Sequence, residues 1–233
     1  CALPISEGRA LHTEAALAGP FLVQDEASQV VALLADPPPG ARVLDVCASP
    51  GGKTTAISAA MDGGGLIVAC DRRPSRLALL TRTLAAAGAT NVRVVQADAT
   101  QALPFLERFD RVLVDAPCSG LGTLRRDPDI RWRRTEADLD PLAVAQRRML
   151  EHASECVALG GRLIYATCSS EPEENERVTD AFTATRTSFA PLDAATIAGV
   201  PRALIDTRGH LRTTPDEHGL ECFFGAVYVR TEL

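Results

Sequence analysis

Short apolar runs alternate along this chain with longer amphipathic stretches, and that alternation predicts most of its elements. Arg42 to Val46 reads as a first strand, followed by a glycine loop, a helix from about Lys53, and a second strand from Leu66 to Cys70. Pro74 stands where a first helical turn tolerates it, the apolar spacing carries a helix to about Ala87, and Gly88 stops it. Val92 to Gln96 then forms a third strand, Arg111 to Val114 a fourth and Arg162 to Ala166 a fifth, with a long insertion and a helix from about Leu142 to Leu159 before the last of these. Strands alternating with helices predict an α/β fold, a doubly wound, mostly parallel sheet covered on both faces. Phe223 to Val229 adds an edge strand, and residues 186 to 215 read as loops. Upstream, residues 1 to 23 read as irregular. Gln24 to Ala35, with Asp25 and Glu26 in its first turn, reads as an entering helix closed by Pro37-Pro38-Pro39-Gly40. Residues 1–35 are therefore expected to be an extension, the end of a linker or small subdomain, and residues 36–233 one α/β domain.

Composition narrows the class. The 233 residues are enough for one large domain with a sizeable core, and 46% hydrophobic against 23% charged residues is a globular balance. No run of about 18 apolar residues predicts a membrane span, and the start lacks the basic-then-apolar order of a secretory signal. Seven cysteines, an odd number without a C-x-x-C pair, argue against a disulfide framework or zinc site and for a reducing cytoplasm. The chain begins at Cys1 rather than Met, so a partner domain is expected to precede it. A net charge of −6 gives no global sign of nucleic-acid binding, so such a surface must be local. Arg125, Arg126, Arg131, Arg133 and Arg134 against Asp127 and Asp129 leave a balance of +3 around Trp132, the only tryptophan. A solvated loop carries the same charges, and Trp132 suits a core anchor as well as a base-stacking platform.

The ends of the strands carry the chemistry. Ligands in such sheets bind beyond the carboxyl ends of the strands, and the first of these loops reads Asp45-Val46-Cys47-Ala48-Ser49-Pro50-Gly51-Gly52-Lys53. Its glycines let backbone approach a ligand, and the following helix offers free N–H groups. By itself the loop is also a plain strand-to-helix turn. Asp71, twenty residues beyond Gly51, ends the second strand where nucleotide-binding sheets place an acid on ribose hydroxyls, and Asp98 follows the third. Together they favour a nucleotide-like cofactor. A P-loop nucleotidase competes, because Gly52-Lys53-Thr54 ends like a Walker A loop, but Cys47 stands where that loop needs its first glycine. A non-catalytic RNA-binding module is the third alternative. Two thiols, in Asp115-Ala116-Pro117-Cys118-Ser119-Gly120 and in Ala166-Thr167-Cys168-Ser169, follow the fourth and fifth strands, which are expected to be neighbours. Cys70 and Cys156 read as buried hydrophobes, while Cys47 and Cys222 fit either reading.

Cys47 to Lys53, Asp115 to Gly120 and Tyr165 to Ser169, followed by Pro172-Glu173-Glu174-Asn175, resemble the motif series of RNA cytosine-C5 methyltransferases. The segment Arg125 to Trp132 narrows the resemblance to the bacterial Fmu/Sun (RsmB) group, which modifies 16S ribosomal RNA, and the likeness runs from about Gln24 to the end. It implies a Rossmann-like methyltransferase fold with S-adenosyl-L-methionine as cofactor and RNA as partner. It also implies that Cys47, Ala48, Ser49, Pro50, Gly51, Gly52 and Lys53 hold the methionine moiety, Asp71 the ribose and Asp98 the adenine side, with Asp115 near both cofactor and target base. Cys168 would be the nucleophile and Cys118 would assist release, with Lys53 and Asp115 completing the catalytic set. The chemistry suits these residues, since cytosine C5 becomes nucleophilic only after a thiolate adds at C6, and the base must be unstacked to be reached. One departure is Glu221-Cys222-Phe223-Phe224, where the group has an Asp-Gly-Phe-Phe type sequence, so a larger side chain stands beside the base pocket.

Overall fold

The computed structural model describes residues 22–232. The entering helix, α1 (Glu26–Leu33), is capped by Asp25, whose carboxylate accepts from the Ser28 amide. Strand β1 (Arg42–Asp45) leads through the glycine loop into α2 (Gly52–Ala60), followed by β2 (Leu66–Asp71), α3 (Pro74–Ala86), β3 (Val92–Gln96) and β4 (Phe109–Asp115). A short helix, α4 (Ile130–Arg133), precedes α5 (Leu139–Ser154), β5 (Val157–Thr167), α6 (Glu176–Thr185), β6 (Phe189–Leu192), β7 (Leu211–Thr213), α7 (Pro215–His218) and β8 (Phe223–Arg230). The strands form one sheet in the order β3-β2-β1-β4-β5-β8-β6, with β7 also pairing β8. The first five are mutually parallel and β8 runs antiparallel to β5. The predicted doubly wound α/β sheet is thus present.

Alternation along the strands divides the core. Val43, Leu113 and Ile164 face α1, α2 and α3, whereas Leu44, Val112, Val114, Leu163 and Tyr165 face α5 and α6. Helix α1 shares the first of these cores through Ala27, Val31, Ala32 and Leu34. Its C-terminal end is tied to the sheet by Arg111, which donates to the Ala35 and Asp36 carbonyls, and by Arg162 on the Asp36 carboxylate. Cations suit the exposed carbonyls at a helix C-terminus.

Three expectations are corrected. The helix expected to run to Leu159 ends at Ser154, and β5 starts at Val157 rather than Arg162, because Val157 pairs with Phe109 of β4 and is buried there. The final strand is not an edge, since β5 lies on one side of β8 and both β6 and β7 on the other. Residues 186 to 215 are not mere loops, because they supply those two strands, which exist by pairing with β8. The irregular stretch expected over residues 1 to 23 lies, but for Leu22 and Val23, outside the described residues. Among the described residues no helix is long and apolar enough to cross a membrane.

Candidate active site

Five parallel strands release their carboxyl ends along one edge, and the loops beyond them enclose a cleft of about 800 Å³, within the usual range for small-molecule sites. Its walls include Cys47 to Pro50, Gly52, Lys53, Asp71, Asp98, Asp115, Cys118 and Cys168. Parallel register explains the convergence: Asp115 stands beside Ala166 in the sheet, so the turns that follow β4 and β5 leave it side by side.

On the β1 side, Gly51 takes a φ of 114°, a conformation that L side chains rarely adopt, and lets the chain turn into α2. Asp71 is buried at the end of β2, where its carboxylate accepts from Arg76 Nε at 2.9 Å and from the Arg73 amide at 3.1 Å. Arg76 also bonds the Ser49 carbonyl, so one guanidinium ties the acid to the glycine loop. Asp98 lies two residues past β3; burial works against its ionisation, but hydrogen bonds from Thr100 and the Arg72 ion pair hold it below the usual carboxylate range. Asp45 points into the same region, one oxygen accepting from Thr54 at 2.7 Å and the other buried without a partner. Burial pushes its carboxyl up to about 7. A cleft of this size, with a glycine turn, a strand-end acid and an orphaned carboxyl oxygen, fits an adenosyl amino acid with an ammonium group.

The two thiols meet on the β4 side. Cys118 Sγ and Cys168 Sγ are 3.1 Å apart. Their hydrogen bond divides them: it lowers the Cys168 thiol, outweighing burial and the Asp115 carboxylate, which oppose it, while the Lys53 ammonium assists; and it raises Cys118 well above its ordinary value, with burial adding to that rise. Cys168 is therefore the more acidic of the two thiols. Lys53 Nζ donates to Asp115 at 2.7 Å, and although burial opposes its charge, this pair holds the lysine above its ordinary value. Cys47 also lines the cleft, but burial raises its thiol far above the usual range, which leaves it a poor nucleophile. Cys70 and Cys156 are buried in the core, as expected. All six cysteines among the described residues are free.

Gly122 stitches the far wall together. Its amide donates to the Cys168 carbonyl at 3.0 Å and its own carbonyl accepts from the Cys222 amide at 2.8 Å. A Cβ there would lie 2.3 Å from the Cys222 carbonyl oxygen, so only glycine fits. Cys222 is thus joined to the site through its backbone.

The arginine stretch divides by direction. Arg126 and Arg134 line the cleft, and Arg134 Nε donates to the Ser119 carbonyl at 3.1 Å. Arg125 is held by the Gly219 carbonyl and Glu221. Arg131 and Arg133 are exposed on α4 with Trp132, which is 79% exposed and therefore not a core anchor, the Arg131 guanidinium lying 5.2 Å from its ring centroid.

The sequence motifs contain Asp45 and Glu174 without assigning them a role, and they do not include Arg76 and Gln146; these four organise the groups of the site. The paired Cys118-Ser119 and Cys168-Ser169 dipeptides were the available signal for Glu174. Both serine hydroxyls donate to Glu174, at 2.5 and 2.6 Å, an acid buried at 0% exposure.

Residues 32–229 match the family model described as 16S rRNA methyltransferase RsmB/F. The "Probable ribosomal RNA small subunit methyltransferase B" of Synechocystis is 39% identical, covering 88% of this chain and 47% of its own length. The ribosomal RNA small subunit methyltransferase F of Escherichia coli is 36% identical, over 93% of this chain and 46% of its own. Among solved structures, that of NSun6 from Pyrococcus horikoshii with SFG superposes with a TM-score of 0.83 at 28% identity, over 97% of this chain and 57% of that one. The chain thus spans about half the length of the curated relatives it matches.

Proposed function

Because the chain belongs to the RsmB/F family of 16S ribosomal RNA methyltransferases, we propose that it methylates carbon 5 of a cytosine in RNA, 16S rRNA being the substrate class, through a covalent adduct on Cys168. The observation that carries this reading is the pair of sulfurs 3.1 Å apart at the cleft, with the thiol beside Lys53 the more acidic. S-adenosyl-L-methionine, when bound, supplies an electrophilic methyl group. The glycine loop from Cys47 to Lys53 would hold its methionine end, Asp71 the ribose and Asp98 the adenine side. The buried free oxygen of Asp45 suits its ammonium.

The Cys168 thiolate adds to C6 of the flipped base, which places an electron pair at C5 for the methyl group. Asp115, fixed by Lys53, would accept a hydrogen bond from the exocyclic amine of the cytosine and so orient the base. Water in the open cleft then takes the C5 proton, the C–H electron pair restores the C5–C6 double bond and the C6–S bond breaks, returning Cys168 as a thiolate; the Cys118 thiol beside it assists that release by donating a hydrogen bond to the departing sulfur. Arg126 and Arg134 at the cleft, with Arg131, Trp132 and Arg133 outside it, suit an RNA strand entering past α4.

Transfer of tritium from labelled S-adenosylmethionine to 16S rRNA, with the label recovered as 5-methylcytosine, is the expected result. Thermal protection by ATP and not by S-adenosylmethionine would replace this reading with a nucleotidase.

A further inference from the structure

Glu174 lies under both cysteine turns with no exposed surface, and no cation among the described residues is paired to it. Four donors surround its carboxylate: Oε1 accepts from the Ser119 amide and from Gln146 Nε2, both at 2.8 Å, and Oε2 from the Ser119 and Ser169 hydroxyls. Gln146, also fully buried, donates in addition to the Pro117 carbonyl at 3.0 Å, so the acid, the glutamine and the Cys118 turn form one unit. These four contacts hold the side chain in place away from water.

The arrangement is unequal toward the two sulfurs. Glu174 bonds directly to the amide that follows Cys118, whereas it reaches the Cys168 turn only through a hydroxyl. On the opposite side, the Lys53 ammonium acts on Cys168. The other charged or titratable groups about the pair are Asp115 and Asp45 at the cleft, Arg126 and Arg134 from the α4 region, and Tyr165, whose hydroxyl donates to the Glu174 carbonyl. Two thiolates 3.1 Å apart repel strongly, so only one sulfur ionises, and the field across the pair decides which.

The geometry points to Glu174 as the positioning residue that assigns the two thiols their roles: its buried carboxylate keeps the proton on Cys118 and thereby leaves Cys168 as the thiolate. It also pins both turns, setting the distance between the sulfurs. Consistent with this, the Glu174 charge adds to the rise of the Cys118 thiol and is not among the main influences on Cys168. This inference rests on the reading of Cys168 as nucleophile, but it concerns the free protein.

It can therefore be tested without RNA or cofactor. The protein is treated with limiting iodoacetamide between pH 6 and 10, and alkylation at Cys118 and Cys168 is measured on separate peptides by mass spectrometry. The unsubstituted protein should alkylate Cys168 at least tenfold faster than Cys118 near neutral pH. Glu174→Gln keeps the shape, with its amide oxygen still accepting and the serine hydroxyls reversed, but removes the charge. It should lower that ratio at least fivefold and move the Cys118 midpoint down in pH, whereas Glu174→Asp, which keeps the charge, should retain most of the preference. A Glu174→Gln protein that melts cooperatively with an unchanged ratio would overturn the proposal. Should that variant not fold, equal reactivity of the two thiols in the unsubstituted protein overturns it equally. A preference for Cys168 that Glu174→Gln lowers as expected, together with absent methyl transfer by the unsubstituted protein, would instead sink the functional reading alone.

Discussion

Two sulfur atoms 3.1 Å apart make the sharpest residue-scale prediction. Cys168→Ala should abolish methyl transfer and leave no covalent species, because no thiolate remains to add at C6. Cys118→Ala should still attack and methylate but stall before elimination, accumulating a protein–RNA adduct that survives a denaturing gel. An adduct from Cys168→Ala alone would reverse the two roles. At the other end of the cleft, Asp71 accepts from Arg76 and the Arg73 amide, and the proposed ribose contact makes it the next residue to test. Charge-assisted hydrogen bonds contribute about 1.5 to 3 kcal/mol, so Asp71→Ala should weaken S-adenosylmethionine binding about tenfold or more by calorimetric titration. An unchanged dissociation constant in a folded variant refutes the ribose role.

Among the elements, α4 separates charge from stacking. Arg131 and Arg133 project outward while Arg134 bonds the Ser119 carbonyl behind Cys118. Replacing Arg131 and Arg133 together should weaken RNA binding and flatten its dependence on salt, by about 0.7 to 0.9 in logarithmic slope for each phosphate that is no longer neutralised. Trp132→Ala should instead cost about 1 to 3 kcal/mol of binding, the range for a stacked base, with the slope unchanged. A salt titration of RNA binding for both variants reads the difference. An identical slope in the double-arginine variant would return α4 to the status of a solvated helix.

At the scale of the whole molecule, Asp45 couples the site to stability. Its carboxyl titrates at about 7 in the fold against 3.8 in its absence, because burial disfavours the charge. A raised acid binds its proton more tightly when folded, so the stability it contributes is fully present below about pH 4 and is lost as pH rises to about 7. Denaturant unfolding across that window should show the decline, and Asp45→Asn should flatten it; a decline of equal size in the variant assigns it to other groups. The sheet that carries Asp45 was readable from the chain because its inner strands are short apolar runs, as Leu66 to Asp71 is, buried along nearly its whole length; Val92 to Gln96, mostly exposed, was found with both ends as expected from its valines and the turns that bound it. The strand-end loops were readable too, since glycines, acids and thiols recur at the places where a parallel sheet must open. Position in the sheet was not. Phe223 to Arg230 is apolar whether it lies at an edge or inside, and only pairing with β5, β6 and β7 decides it. Short strands such as Leu211–Thr213 have too few residues to show a period and exist by virtue of a neighbour. The same holds within the site: the sequence by itself determined that two thiols would stand at adjacent strand ends, because parallel register follows from the pattern. Which of the two is the more acidic was decided by tertiary structure, through the contact between the sulfurs and then through Lys53 arriving from α2 and Glu174 from beyond β5, since electric fields depend on distances in space that spacing along the chain does not contain.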